Sequence, residues 1–290
     1  MFSGCMVALI TPFHDGEVDF QTLDELVEFH LKSGTDAIVP VGTTGESPTL
    51  DYEEHKQVIE RVVHAVEGRI PVIAGTGSNS TAEAIELTAH AKKVGADASL
   101  QVCPYYNKPT QEGFYQHFKA IAEEVDIPLV LYNIPSRCGA GMTPDTIVRL
   151  SEIENIVAIK EATGSLDQAS EIASRCDLTI LSGDDSLTLP IASVGGKGVI
   201  SVVANIVPTD VKAMTDLILE GDLVSARKWH NKLFVLAKSL LSMATNPIPI
   251  KAAMAMLEMA SEEMRLPMVP LEDGKRNELR KILTAYGLLA

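Results

Sequence analysis

The 290-residue chain is poor in aromatic residues, 5% with a single tryptophan, and poor in cysteine, with four. Cys5, Cys103, Cys138 and Cys176 are widely spaced. No C-x-x-C pair suggests zinc or redox work, and a chain of this size needs no disulfide staples, so the thiols are expected to be reduced. Positive charge is also scarce: 24 Lys and Arg stand against 39 Asp and Glu, a formal charge of -15. That balance opposes nucleic acid and anionic membrane surfaces as partners, because both are held by an excess of Lys and Arg. No apolar stretch is long enough to cross a bilayer, and Met1-Phe2-Ser3-Gly4-Cys5-Met6 lacks the basic region and apolar run of a signal peptide. A soluble, cytoplasmic protein is expected. No Pro/Gly/Ser linker, charge block or low-complexity run divides the chain. The seven histidines form neither H-E-x-x-H nor a comparable cluster, so no metal site is expected. Small-molecule chemistry is what these absences leave.

What is present is a repeated pattern. Apolar runs suited to buried strands recur at Met6–Ile10, Ala37–Val39, Pro71–Ala74, Ala98–Val102, Pro128–Tyr132, Ile156–Lys160, Leu178–Ser182 and Gly198–Val203. Between them apolar residues fall at helical spacing, as in Phe20, Leu23, Val27 and Leu31, or Val58, Ile59, Val62, Val63 and Val66, or Ile85, Leu87, Ala91 and Val94. Lys32-Ser33-Gly34-Thr35-Asp36-Ala37 is echoed by Lys93-Val94-Gly95-Ala96-Asp97-Ala98, each a helix stopped by Gly and a strand opened by Asp-Ala. Continuous apolar strands with helical crossovers imply a parallel sheet covered on its outside, and eight units can close it. The expected fold is an α/β (β/α)₈ TIM barrel. An open doubly wound sheet is the rival, but Gly75-Thr76-Gly77-Ser78 lacks the third glycine of a dinucleotide loop. From Pro208 onward only helical stretches appear, at Val211–Leu219, Leu223–Ala244 and Ala252–Ala260, with Asn246-Pro247-Ile248-Pro249 breaking the run. The expected division is a catalytic barrel over 1–222 and a C-terminal helical appendage over 223–290.

In such a barrel the active site forms at the C-terminal ends of the strands. Those ends are polar here: Gly42-Thr43-Thr44-Gly45-Glu46-Ser47, Thr76-Gly77-Ser78-Asn79, Tyr105-Tyr106-Asn107, Tyr132-Asn133 with Arg137 beyond, Lys160, and Gly183-Asp184-Asp185. A strand-end lysine is either solvated or held where water is scarce. In the second case its amine loses protons more easily and can attack a carbonyl. Imine formation needs an acid for the departing hydroxyl and a base for the protons of nitrogen and the adjacent carbon, and a tyrosine hydroxyl can relay them. The Gly-flanked Thr43-Thr44 offers N–H groups and hydroxyls to a small carboxylate, which implies a 2-oxo acid. A protonated imine is its own electron sink, so no cofactor is expected.

These motifs, with Tyr105-Tyr106-Asn107-Lys108-Pro109, Tyr132-Asn133-Ile134-Pro135-Ser136-Arg137, Lys160-Glu161-Ala162-Thr163-Gly164 and Asn246-Pro247-Ile248-Pro249, resemble the dihydrodipicolinate synthase family. That family lies within the N-acetylneuraminate lyase superfamily of class I, pyruvate-dependent aldolases. The likeness spans nearly the whole chain; Gly-x-x-Gly-Glu and the strand-six lysine mark only the superfamily, whereas Arg137 is more discriminating. The resemblance implies that Lys160 forms an imine with pyruvate, that Tyr132 carries protons, and that Thr43 and Tyr106 complete the relay, Tyr106 from a neighbouring subunit. Thr44 and Ile200 would contact pyruvate, and Arg137 would hold the carboxylate of L-aspartate 4-semialdehyde. The implied activity is a lyase reaction opening lysine biosynthesis through diaminopimelate. The implied assembly is a homotetramer of two tight dimers. Other superfamily activities, such as a sialic acid lyase or a 2-keto-3-deoxy sugar acid aldolase, are the alternative, and a non-catalytic metabolite-binding barrel is a remote one.

The resemblance also implies feedback by L-lysine at Ser47, Pro48, Tyr52, His55, Asn79, Glu83 and Tyr105. Glu83 suits an ammonium, while Asn79 and the Tyr105 hydroxyl suit the amino-acid end. Pro48 and Tyr52 depart from an expected alanine and histidine, so weakened inhibition is expected. Cys138 departs as well and reads as a tolerated neighbour of Arg137; only if exposed would its thiol make the protein sensitive to oxidation.

Overall fold

The computed structural model describes residues 2–290. Eight parallel strands follow one another as β1 (Gly4–Ala8), β2 (Ala37–Val39), β3 (Ile73–Gly75), β4 (Ala98–Val102), β5 (Leu129–Asn133), β6 (Ile156–Glu161), β7 (Thr179–Ser182) and β8 (Gly198–Ser201). Each pairs with its neighbours in chain order, β1 pairs with β8, and a bridge from Ile38 to Val72 joins the remaining edges. The ring is closed.

Between strands run α1 (Phe20–Lys32), α2 (Tyr52–Val66), α3 (Thr81–Val94), α4 (Gln111–Glu124), α5 (Pro144–Ser151), α6 (Leu166–Arg175) and α7 (Thr188–Ser193). Their starts follow from sequence: Asp19, Ser80 and Thr110 accept N–H bonds from the first turns of α1, α3 and α4, and Asp51 with Glu54 forms a capping box on α2. The two echoed segments do the same work in space. Asp36 Oδ2 accepts the Cys5 N–H and Asp97 Oδ2 the Val72 N–H, both at 2.8 Å, so each acid ties its own strand to the preceding one in the ring.

Side chains alternate across a strand, and here the alternation sorts the chain into layers. Met6, Val39, Ile73, Leu100, Val130, Tyr132, Ala158, Leu181 and Ile200 fill the barrel, whereas Val7, Ile38, Leu131, Ile159 and Val199 pack outward on helices. Because Ala158 points inward, Lys160 two residues later does too.

After β8 come α8 (Pro208–Leu219), α9 (Leu223–Ser242), α10 (Ile248–Met256) and α11 (Asp273–Tyr286). Ala226, Leu233, Leu236, Leu240, Met254, Leu279 and Leu283 join the same buried cluster as Val7 and Ile38, so these helices share the barrel's outer core. Three features differ from the sequence expectation. β1 begins at Gly4, and α10 starts at Ile248 because proline at the second helical position costs no hydrogen bond. A hairpin of Phe13–His14 and Glu17–Val18 precedes α1, its turn made by Asp15 and Gly16 at φ 52° and 86°. Among the described residues, no helix is long and apolar enough to cross a membrane.

Candidate active site

The pairing of β5 with β6 sets Tyr132 directly opposite Lys160, both facing the interior. The Lys160 Nζ lies 4.2 Å from the centre of the Tyr132 ring. Lys160 is buried, and that desolvation brings its ammonium down from 10.5 to about 8; the Asp185 carboxylate opposes the fall and the Arg137 guanidinium assists it. Burial likewise pushes the Tyr132 phenol up to about 12, against which Arg137 and the Thr43 side chain favour the phenolate. An amine that gives up its proton more readily than a free lysine thus sits beside a protonated phenol.

Space for the lysine is made by Gly183, where a Cβ would lie 2.6 Å from Ala162 Cβ and 3.2 Å from Lys160 Cγ. Asp185 is buried behind it, its carboxylate accepting the Ser201 hydroxyl and the N–H groups of Val202 at 2.9 Å and Val203 at 3.3 Å. Burial raises its pKa and those donors oppose the rise. Ile200, 1% exposed, borders the same interior.

Thr43 and Thr44 sit on a compact turn after β2, closed by N–H bonds from Gly45 to Gly42 O (3.1 Å), Glu46 to Thr43 O (3.2 Å) and Ser47 to Gly42 O (3.3 Å). Gly45 is required there: a Cβ would stand 3.0 Å from Val41 N and 3.2 Å from Leu9 O. The buried Thr44 hydroxyl accepts from Asn246 Nδ2 at 3.0 Å, and the Asn246 carbonyl accepts from the exposed Arg137 Nη2 at 3.0 Å. Thr44, Asn246 and Arg137 therefore form one chain across the mouth. A small cavity of about 30 Å³ is lined by Gly42, Thr43, Ser47, Gly75, Leu100 and Tyr132. A concavity of about 890 Å³ beside Phe20, Arg61, His64 and His90 lies on the outer helices and touches no strand-end residue.

Lys160, Tyr132, Thr43, Thr44, Ile200 and Arg137 are thus gathered at one end of the barrel. Tyr106 is not. It stands 90% exposed at φ 72°. Of the remaining residues, Asn79 Nδ2 donates to the Tyr105 carbonyl (3.1 Å) and Glu83 accepts the Ser78 hydroxyl (2.8 Å). His55 turns inward to the Gly75 carbonyl at 2.8 Å, and burial lowers its pKa. Tyr52 lies under Lys56, whose Nζ is 4.6 Å from its ring centre, and Pro48 is exposed. Cys138 packs as a tolerated neighbour of Arg137 and presents no exposed thiol. It is 3% exposed, and burial pushes its pKa up to about 11 against the pull of Arg137, so little reactive thiolate forms.

Sequence reasoning assigned no role to Asn246, Asp185 or Gly183. Each stands inside a quoted motif or strand end, which was the available signal. Among the described residues no group of three or more His, Cys, Asp and Glu is placed to hold a metal.

The model of the dihydrodipicolinate synthetase family matches residues 1–286. A 4-hydroxy-tetrahydrodipicolinate synthase of Aquifex aeolicus is 55% identical over 291 residues, covering 99% of each chain. The crystal structure of dihydrodipicolinate synthase from Aquifex aeolicus superposes with a TM-score of 0.97, again over 99% of both chains. A dihydrodipicolinate synthase from Acinetobacter baumannii complexed with pyruvate superposes with a TM-score of 0.97 at 46% identity over 100% of both chains. One from Cyanidioschyzon merolae with lysine bound does so at 0.95 and 42% identity over 99% of both. The chain belongs to the dihydrodipicolinate synthetase family.

Proposed function

We infer that the protein is a lyase that condenses pyruvate with L-aspartate 4-semialdehyde to (2S,4S)-4-hydroxy-2,3,4,5-tetrahydrodipicolinate. The observation that carries this reading is the desolvated Lys160 amine facing Tyr132 across paired strands. Lys160 Nζ adds to the pyruvate carbonyl, and Tyr132 gives the departing hydroxyl a proton, so that water leaves and an imine remains. Thr43 supports the phenolate that results. Loss of a methyl proton turns the imine into an enamine, whose carbon attacks the aldehyde; the amine of the semialdehyde then displaces Lys160 as the ring closes. Electrons stay within the substrates throughout, so no dissociable cofactor is required. Thr44 and the turn N–H groups seat the pyruvate carboxylate, Ile200 packs against it, and the Arg137 fork holds the semialdehyde carboxylate.

The exposure of Tyr106 supports a role outside its own chain. It completes the relay of a partner subunit, in a homotetramer built from two tight dimers. L-Lysine is an inhibitor at the Glu83, Asn79 and Tyr105 cluster, and Ser47, expected at the same site, lines the cavity shared by Thr43 and Tyr132. Pyruvate and borohydride together test the reading: mass is expected on Lys160, and a coupled assay against a panel of aldehydes is expected to favour aspartate semialdehyde. Label elsewhere, or turnover of sugar aldehydes in its place, would point to another chemistry of the superfamily.

A further inference from the structure

The turn bearing Thr43 and Thr44 ends on Glu46, 3% exposed. Its partner is Lys251 on α10, fully buried, with Nζ 2.5 Å from Glu46 Oε1. The other oxygen, Oε2, accepts the Arg265 N–H at 3.3 Å. Lys251 also donates to the Glu263 carbonyl at 2.7 Å, and its Nζ stands 4.4 Å from the centre of the Phe13 ring. A buried ion pair is a weak stability device, because removing two charges from water offsets most of their attraction and apolar residues of equal volume hold a fold as well. What such a pair supplies is direction, since a short charge-assisted hydrogen bond fixes atoms in place.

Glu46 needs fixing. Its backbone is left-handed at φ 56°, a conformation that a residue with a Cβ keeps only when its surroundings enforce it. Five residues before Lys251, Asn246 grips the Thr44 hydroxyl. The entry to α10 therefore holds the turn at two points, Thr44 and Glu46, with Thr43 immediately before the first.

We propose that Glu46 and Lys251 are positioning residues for the condensation: their buried pair sets the turn so that Thr44 meets the pyruvate carboxylate and Thr43 meets Tyr132. The proposal rests on the roles inferred above for those threonines. Two variants test it. Lys251→Met leaves a lone carboxylate in an apolar site, whereas Glu46→Gln combined with Lys251→Met removes both charges at nearly constant volume. Melting, kcat, the KM of each substrate and borohydride trapping are measured on both and on the unaltered protein. Positioning gives a double variant that melts within a few degrees of the unaltered protein, with kcat lowered and pyruvate KM raised roughly 10-fold each and semialdehyde KM within about 2-fold. A double variant with unaltered kinetics overturns the proposal, as does an equal rise in both KM values. Failure of both variants to fold also overturns it, assigning the pair to stability alone. If the unaltered protein traps no imine on Lys160, the functional reading itself has failed, and that result is separate from the others.

Discussion

Tyr132 and Lys160 face each other across adjacent strands, the lysine nitrogen 4.2 Å from the tyrosine ring centre. Their burial moves the two titrations apart, the amine down to about 8 and the phenol up to about 12. At neutral pH the Lys160 amine is partly deprotonated and the Tyr132 phenol still holds its proton, which is the pairing that the proposed imine formation requires.

The rate of borohydride-trappable imine formation with saturating pyruvate is expected to rise with pH and to level off above about 8, following the free amine of Lys160. Rapid-quench mass measurement from about pH 6 to about pH 9 checks this. A flat profile would remove Lys160 deprotonation from the controlling step.

The same desolvation carries a stability cost. A fall from 10.5 to about 8 corresponds to about 3 kcal/mol, present in full below the folded value and lost as pH climbs through the unfolded one. Lys160→Met should therefore melt several degrees higher than the parent at neutral pH, with the gain shrinking at alkaline pH. Calorimetry at the two pH values decides it, and a lower melting point in the variant would contradict the account.

Tyr132→Phe keeps the ring that packs in the barrel but removes the proton carrier, so fold and pyruvate binding persist while kcat drops roughly 10²–10⁴-fold. Near-normal turnover would take Tyr132 out of the relay. Arg137→Ala, at the exposed end of the chain through Asn246 to Thr44, is expected to raise semialdehyde KM far more than pyruvate KM. Steady-state kinetics with each substrate varied in turn distinguishes that from a shared defect.

The exposure of Tyr106 motivates a test of its proposed action across a subunit boundary. Tyr106→Phe and Lys160→Ala chains, each inactive alone, are expected to regain activity when unfolded and refolded together. No recovery at any mixing ratio would rule against sites shared between subunits.

Millimolar L-lysine is expected to inhibit partially, and Glu83→Ala to weaken the inhibition by removing the carboxylate beside Ser78 and Tyr105. The absence of any calorimetric heat with the parent protein would refute regulation and leave catalysis untouched.

The barrel and its mouth were legible because period-two alternation and strand-end composition are local properties. Lys160 could be placed by counting from Ala158, and Tyr132 by its position at the end of an apolar run. The hairpin at Asp15-Gly16 had a local signal too, the Asp-Gly turn, but its strands of two residues are too short for a periodicity to register. Asn246 and Lys251 are a different case. Their contacts span 202 and 205 residues, and no pattern near either one says which turn it will meet. Whether the Cys138 thiol is exposed was likewise not legible, because the packing of the helical turn at Pro135–Cys138 decides it.

The late position of α10 also gives the site an order of assembly during synthesis. Lys160 and Tyr132 are made with the middle of the chain, and the ring that desolvates them cannot close before β8 is made to pair with β1. Asn246 and Lys251, which hold the turn at Thr44 and Glu46, emerge some 45 and 50 residues after β8 ends at Ser201. The residues that brace the turn at Thr44 and Glu46 are thus synthesised after every strand of the ring.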